Sequence, residues 1–258
     1  MDAAVSDSAS SEPTAGAEQK RRSAEVFDAV AERYDVMNDL MSLGTHRLLK
    51  RALVELTRLR RGQRALDLAG GSGDVAALLA LAVGGSGSVV LADINASMLA
   101  VGRDRMLDEG CANVDCVQTD GTRLAFQGGA FDAVTVAFGL RNFADKNAGL
   151  REMHRVLRRG GVAVVLEFAK PRAGPPRLLA GLWDAYRGTW PILGRLVVGD
   201  AAPYRYLVDS IDSHPDQDTI TGMMEHAGFA EVECHDIFGG IVAIHRGVRA
   251  GEPSAGEG

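Results

Sequence analysis

Short apolar runs alternate with amphipathic stretches through the middle of the chain, and this alternation is the first guide to the fold. The runs have the length and apolar character of buried strands, and the stretches between them have helical spacing. The predicted strands are 65–69, 89–93, 114–118, 131–137 and 162–168. The predicted helices are 74–83, 96–109 and 147–157. This order predicts a Rossmann-like, doubly wound, mostly parallel α/β sheet with a binding crevice at the carboxyl ends of its strands.

The pattern before and after this core predicts appended elements. Three features predict an N-terminal helical lid over residues 19–60. They are helical spacing at 19–33, an irregular apolar segment at 34–44 and a second helix at 46–58. Prolines followed by a long apolar and aromatic stretch predict a helical insertion, or cap, over 171–213 after the fifth strand. Runs at 232–237 and 241–245 predict an antiparallel final strand pair.

Polar, low-complexity ends complete the predicted organisation. The first 18 residues are rich in Ser, Ala, Glu and Asp, and residues 250–258 are rich in Gly, so we expect disordered tails at both ends. The region between them, 19–249, is predicted to form a single domain, because 258 residues with 46% hydrophobic composition can bury one full core.

Charge and cysteine content narrow the function. The net charge of -6 and pI near 5.5 offer no bulk attraction for nucleic acid. The three cysteines lack zinc-site spacing, so we expect reduced thiols, no metal site and a cytoplasmic protein. No signal segment and no run of about 18 apolar residues is present, so any membrane contact is expected to be peripheral, at the inner face of the membrane.

A glycine loop between the first strand and the next helix is the strongest candidate site. Gly71, Ser72 and Gly73 lie in a turn that suits close approach of a ligand to the backbone. The pattern also fits the GxGxxG/A fingerprint of dinucleotide-binding proteins, so an NAD-dependent oxidoreductase is one interpretation. Asp74 at the start of the following helix opposes it, because a carboxylate there would repel a pyrophosphate.

Acidic residues at successive strand ends favour a cationic ligand instead. Asp67 and Asp74 would suit the ammonium and sulfonium of S-adenosyl-L-methionine, Asp93 its ribose hydroxyls and Asp120 its adenine amino group. The alternative is that Asp74 only caps a helix and Asp120 only begins a turn. All four acids together favour the methyl donor.

Several longer motifs resemble one family, the UbiE-type C-methyltransferases of ubiquinone and menaquinone biosynthesis, among the class I S-adenosylmethionine-dependent methyltransferases. The similarity covers about residues 26–247. Its motifs are YDVMNDLMS at 34–42, LDLAGGSGD at 66–74, VLADIN at 90–95, FGLRN at 138–142 and HPDQD at 214–218. The glycine loop is shared with many methyltransferases, whereas the first motif and FGLRN are far more specific.

The resemblance implies a set of cofactor contacts. Together with the loop and Asp67, these contacts are Ser72, Asp93, Asp120, Gly121 and Ala137. The family often has Ser at the Ala137 position and Asn at the Asp120 position, so the resemblance implies a backbone contact at Ala137 and one hydrogen-bond donor fewer at Asp120.

The resemblance also implies the reaction, which is methylation of a ring carbon of a polyprenyl benzoquinol or a demethylmenaquinol. A phenol with a pKa near 10 is mostly protonated at neutral pH, so a group that stabilises the phenolate would accelerate attack on the methyl group. Our candidates are Arg141 as the stabilising cation, Asn142 beside it, and Tyr34 in the lid. A structural salt bridge for Arg141 and simple packing for Tyr34 are the alternatives.

The expected partners follow from a lipid substrate. The stretch 178–198, with Trp183, Tyr186 and Trp190, would line a channel for the prenyl tail or rest on the bilayer, unless it forms a dimer face or ordinary core. A homodimer or a quinone-biosynthesis complex is a further hypothesis. The same fold would also suit a methyltransferase for another small aromatic acceptor, or a noncatalytic assembly factor.

Overall fold

The computed structural model describes residues 44–171 and 202–251, together with positions 18, 21, 25, 26, 28, 38, 39, 42, 185, 186, 188–190, 192 and 195. Tyr34 and Trp183 lie outside the described residues, as do most of the two predicted tails. The described positions between 18 and 42 are helical, as the predicted lid requires.

Seven strands form one sheet in the order β3-β2-β1-β4-β5-β7-β6. The strands are β1 Arg64–Leu68, β2 Ser88–Asp93, β3 Val114–Gln118, β4 Phe131–Ala137, β5 Leu157–Phe168, β6 Phe229–Ile237 and β7 Val242–Arg249. The first five pair in parallel, whereas β7 runs antiparallel between β5 and β6. The strand order reverses between β1 and β4, and ligands of doubly wound sheets bind at this kind of switch point.

Six α-helices lie within the two continuous described ranges, 44–171 and 202–251. They are α1 His46–Thr57, α2 Asp74–Val83, α3 Ala96–Asp108, α4 Lys146–Val156, α5 Ala202–Asp212 and α6 Gln217–His226. Helices α1, α2 and α3 pack on one face of the sheet, and α4 and α6 cover the other face. Both faces of the central strands are therefore buried, which explains their continuous apolar runs.

The fold prediction is confirmed, with differences at element ends. Strand β5 begins at Leu157 instead of 162, because Leu157 pairs with Phe131 before the polar Arg158-Arg159-Gly160 segment. Strand β7 continues to Arg249, and its polar residues are buried between β5 and β6. Helix α5 was not predicted as an element of its own within the 171–213 cap.

Candidate active site

Two cavities meet at the carboxyl edge of the sheet. The smaller, of about 90 Å³, follows the ends of β2 and β3, and the larger, of about 300 Å³, lies between β1, β5 and α1. Four residues at the ends of β1 and β4 line both cavities: Ala69, Gly71, Ala137 and Phe138. The strand order therefore brings most of the predicted site residues to one continuous space.

The smaller cavity contains two of the predicted acids. Asp93 closes β2, and its two oxygens accept hydrogen bonds from the backbone N–H groups of Gly71 and Asn95, both at 2.9 Å. Asp120 accepts from the backbone N–H and the hydroxyl of Thr122 at 2.9 and 2.7 Å. Burial raises the pKa of Asp93, although these backbone N–H groups oppose the rise. Each carboxylate still has lone pairs for a ligand in the cavity.

Gly121 lies beside Asp120 and makes room for an aromatic wall. A Cβ atom at this position would come within 2.6 Å of Cζ of Phe143, which lines the same cavity. Any side chain here would clash with the Phe143 ring. The glycine therefore permits the position of this ring in the cavity wall.

The larger cavity contains a buried carboxyl group with one unsatisfied oxygen. Asp67 of β1 is fully buried, and its Oδ1 accepts a hydrogen bond from the Thr135 hydroxyl at 2.9 Å. Its Oδ2 has no hydrogen-bond partner among the described residues. Burial raises the pKa of Asp67 to about 7, with a smaller rise from Asp93, while the Thr135 hydroxyl, Lys50 and the backbone N–H of Ala76 oppose it. A cationic group in the cavity would satisfy this orphaned oxygen.

The loop residues have different roles. Gly71 has a φ of +56° and lines both cavities, and Ser72 lines the larger one with only 2% of its surface exposed. Gly73, with a φ of +87°, lines neither cavity, and a Cβ there would lie 3.0 Å from Met106 Cε on α3. Gly73 therefore allows close packing of the loop on α3.

The charge pattern of the sequence predicts that Asp74 offers its carboxylate to a cationic ligand. In the structure this carboxylate is already paired with two side chains of the protein. Its Oδ2 lies 2.5 Å from Lys50 Nζ of α1, and its Oδ1 pairs with Arg105 of α3. Burial alone would raise the pKa of Asp74, but these two cations outweigh it and the pKa is lowered. The acid therefore holds three helices together around the loop.

Arg141 is a buried ion-pair partner that also lines the larger cavity. Its Nη1 donates to Glu167 Oε1 at 2.9 Å, and its backbone N–H donates to Oε2 of the same residue at 3.1 Å. Its guanidinium lies 5.6 Å from the ring centre of Phe168, and its Nε has no partner among the described residues. The structural salt bridge that was the alternative interpretation is therefore observed. The guanidinium of Arg141 nevertheless lies beside the larger cavity.

Asn142 belongs to the smaller cavity, whereas its neighbour Arg141 belongs to the larger. The Asn142 Oδ1 accepts a hydrogen bond from the Tyr206 hydroxyl of α5 at 3.0 Å. This contact leaves its amide nitrogen as a donor. The two residues predicted as one catalytic pair therefore face different parts of the site.

Polar contacts join the N-terminal segment to the site. Asn95, which lines the smaller cavity, donates to Asp28 at 2.8 Å. Asp39 lies 2.8 Å from His46 Nε2 and 2.6 Å from Arg47 Nη2, and these two partners lower its pKa to about 2. Asn38 and Ser42 line the larger cavity. These contacts place the described positions of the lid over both cavities.

Aromatic side chains close the far side of the larger cavity. Trp190 is 1% exposed and packs against Phe168 and Tyr186, with ring centres 6.4 and 5.9 Å apart. All three line the cavity, with Leu207 of α5 beside them. Trp190 is therefore an interior residue and does not rest on a bilayer.

Two residues important to this site, Lys50 and Glu167, were not among the candidates. Nothing in the sequence indicates that Glu167 faces Arg141 across 26 positions. Lys50 lies 24 positions from Asp74 and looks like an ordinary helix-surface lysine. In both cases the missing information is the packing of elements distant in sequence.

Comparison with known proteins identifies the family. The model of the ubiE/COQ5 methyltransferase family matches residues 15–249. The chain belongs to this family. It is therefore a methyltransferase, and the dehydrogenase interpretation is set aside.

Close relatives span nearly the whole chain. The ubiquinone/menaquinone biosynthesis C-methyltransferase UbiE of Cellvibrio japonicus is 52% identical over 234 residues, which cover 90% of this chain and 93% of the relative. The protein of the same name from Pseudomonas paraeruginosa is also 52% identical, with 90% of each chain covered.

Solved structures share the fold at low identity. A SAM-dependent methyltransferase from Aquifex aeolicus superposes with a TM-score of 0.61 at 14% identity, covering 84% of this chain and 98% of that one. Phosphoethanolamine N-methyltransferase 2 of Haemonchus contortus, in complex with S-adenosyl-L-methionine, gives 0.60 at 14% identity, covering 81% and 53%. These similarities confirm the Rossmann-like methyltransferase fold.

Proposed function

We propose that this chain transfers a methyl group from S-adenosyl-L-methionine to a ring carbon of a polyprenyl benzoquinol, a demethylmenaquinol or both. Relatives about half identical over nine-tenths of the chain carry the name of this activity. The observation in the structure that supports it most is the junction of two cavities, one that contains Asp93 and Asp120 and the other walled by Phe168, Tyr186 and Trp190.

The smaller cavity fits the adenosine part of the methyl donor. Asp93, at the end of β2, would accept hydrogen bonds from the ribose hydroxyls, and Asp120 one from the adenine amino group. Gly121 allows the Phe143 ring to lie close against the backbone in the wall of this cavity, where it would contact a flat ring. Ala137 lies where both cavities meet and offers only backbone polar groups to the donor.

The amino-acid end of the donor fits the loop side of the larger cavity. The orphaned Oδ2 of Asp67 suits an ammonium group, and Ser72 and Gly71 line the same wall. When bound, S-adenosyl-L-methionine supplies an electrophilic methyl group on a sulfonium centre. The chain must then hold a nucleophilic carbon in line with that methyl group.

The rest of the larger cavity suits a flat, apolar acceptor. Phe168, Tyr186 and Trp190 provide the aromatic walls, and Arg141 supplies a cation beside them. A quinol carbon attacks more readily as its oxygen loses a proton, so a guanidinium that stabilises the phenolate lowers the barrier. Arg141 acts as a hydrogen-bond donor and a charge, not as a base, because it stays protonated.

Contact with a membrane surface is part of the proposal, since a prenylated quinol lies in a bilayer. Among the described residues, no helix is long and apolar enough to cross one. We place the protein in the cytoplasm, in peripheral contact with the inner face of the membrane. Ile192, 64% exposed in the cap, is the described residue of that segment to test. Undiminished flotation of an Ile192→Ser, Trp183→Ser variant with liposomes would remove this role from the cap.

Complementation tests the proposed reaction. The gene is expressed in a bacterium that lacks the quinone C-methylation step, and both quinones are extracted and analysed. Restored ubiquinone, menaquinone or both supports the proposal and assigns the acceptor. If neither returns while the purified protein binds S-adenosylhomocysteine, the acceptor is another aromatic molecule. If it also fails to bind S-adenosylhomocysteine, the noncatalytic assembly role is favoured.

A further inference from the structure

A third cavity, of about 340 Å³, lies at the opposite edge of the sheet from the candidate active site. It is bordered by the end of α1, the residues before β1 and the beginning of β5. Four of its lining residues are arginines, Arg58, Arg60, Arg158 and Arg246, and one is an acid, Asp132. This concentration of positive charge is unusual in a chain whose net charge is -6.

Arg246 is the central observation. It lies on β7, and only 6% of its surface is exposed. Its side chain forms one hydrogen bond within the described residues, from Nε to the carbonyl of Leu56 at 3.2 Å. In that part of the chain it forms no ion pair. A buried cation without a counter-ion is unfavourable, so a guanidinium that borders a cavity in this state favours an anion there.

The nearby acids do not neutralise Arg246. Asp132 accepts from Gln63 Nε2 at 3.1 Å and the backbone N–H of Arg64 at 2.8 Å, and it also pairs with Arg158. Glu233 is opposite Arg246 on β6, and no ion pair joins the two side chains. Neither carboxylate therefore pairs with Arg246.

The other arginines add to the field of the cavity. Arg58 ends α1 in a left-handed conformation, with a φ of +53°, and Arg60 follows in the loop. The side chains of both are exposed and form no hydrogen bond or ion pair among the described residues. Arginine presents planar, bidentate donors, which match the oxygens of phosphate groups.

We propose that this cavity binds a phosphate-bearing ligand, with Arg246 at its base and Arg58 and Arg60 at its entrance. A diphosphate suits it better than a single carboxylate, because several guanidinium groups converge on one space. The phosphate groups come either from a free metabolite or from a lipid headgroup. The site is distinct from the two cavities that the methyl transfer requires.

Diphosphate is the probe for the first test, by calorimetry and thermal unfolding at constant ionic strength. We expect saturable binding and a rise in Tm for the wild type. Arg246→Met should bind at least about tenfold more weakly, because a charge-assisted contact is lost. The Tm of the Arg246→Met variant without ligand should be unchanged or higher, since the substitution removes an uncompensated buried charge.

Arg58→Gln, at an exposed position, should weaken binding without affecting the fold. Arg151→Gln, at a surface ion pair on α4, is the matched control.

The second test distinguishes the source of the phosphate. A lipid headgroup is assigned if the protein floats with phosphatidylglycerol vesicles but not with phosphatidylcholine vesicles. This flotation must also be inhibited by diphosphate and weakened by Arg58→Gln. Diphosphate binding without flotation would assign a free ligand. The proposal is overturned if the wild type does not bind diphosphate, or if Arg246→Met and Arg58→Gln both bind it as well as the wild type.

Discussion

The Asp74 carboxylate lies 2.5 Å from the Lys50 ammonium, and its second oxygen pairs with Arg105. Helices α1, α2 and α3 each contribute one member of this cluster, which is 10–27% exposed. The acid next to the glycine loop is therefore part of the scaffold that holds the loop in place. A cationic ligand would have to compete with two cations of the chain for it.

Replacing Asp74 should accordingly affect stability more than ligand affinity. We expect Asp74→Asn to lower the free energy of unfolding by about 2 kcal/mol, because Lys50 and Arg105 lose their counter-ion in a half-buried site. The affinity for S-adenosylhomocysteine should change by less than about threefold once the variant is folded. Urea unfolding and calorimetry measure the two effects. A large loss of affinity at unchanged stability would make Asp74 a ligand contact after all.

The pKa of about 7 at Asp67 predicts pH-dependent binding of the methyl donor and its product. An ammonium group binds the ionised carboxylate, so the proton must leave on binding, and affinity for S-adenosylhomocysteine should rise as the pH increases from about 6 to 8. The rise should approach about tenfold per pH unit below the pKa. Calorimetry in buffers of different ionisation enthalpy should detect proton release. Asp67→Asn should bind weakly and independently of pH, and equal pH dependence in that variant would contradict the assignment.

The Asp67 carboxyl group also predicts that the stability of the ligand-free protein decreases with rising pH, whereas ligand affinity increases. The folded state keeps the Asp67 proton between about pH 4 and 7, where the unfolded chain has lost it, so ligand-free stability should fall as the pH rises through this range. Asp67→Asn should remove that contribution, which is of the order of a few kcal/mol. Denaturant unfolding of both proteins at pH 5 and 8 checks it.

Glu167 should control the reaction through Arg141 without contacting the cofactor. Glu167→Gln leaves a neutral partner for the guanidinium and disturbs its position beside the larger cavity, so we expect kcat to fall by about 10–100-fold. The affinity for S-adenosylhomocysteine should remain within about twofold. Glu152→Gln, in the Glu152–Arg155 pair away from both cavities, is the matched control and should leave kcat unchanged. An equal loss in both variants would indicate general destabilisation.

Acid sensitivity is predicted for the buried His214. Burial is the main cause that lowers the pKa of this side chain; Glu167 opposes it and the charges of Lys146, Arg141 and His245 add to it, so that the pKa is about 4. The unfolded chain binds a proton here below about pH 6.5, whereas the folded chain binds it only below about pH 4. The free energy of unfolding should therefore decrease as the pH falls from about 6.5 to 4, by up to about 3 kcal/mol. The difference in unfolding free energy between wild type and His214→Gln should therefore vary with pH over this range, and a difference that stays constant would contradict the assignment.

Much of the fold could be predicted because parallel strands are buried on both faces and the helices between them are amphipathic. The same alternation explains why Asp67, Asp93, Asp120 and Ala137 were expected at one edge, since each lies at or near the end of a strand. The ion pairs of Asp74 and Arg141 could not be predicted, because their partners lie 24 to 31 residues away and meet them only through packing. The separation of Arg141 and Asn142 into different cavities likewise depends on the short helical turn at Leu140–Asn142.

Backbone conformation shapes the point where the two cavities meet. Ala69 and Phe138 follow neighbouring strands, each has a φ of +54°, and both line the two cavities. Left-handed backbone costs a residue with a Cβ roughly 1 kcal/mol, and this conformation is maintained only where the surroundings impose it. The shape of the space between the two cavities is thus determined by the path of the main chain. A change of the Ala137 side chain should alter it less than a change that shifts the backbone of Ala69 or Phe138.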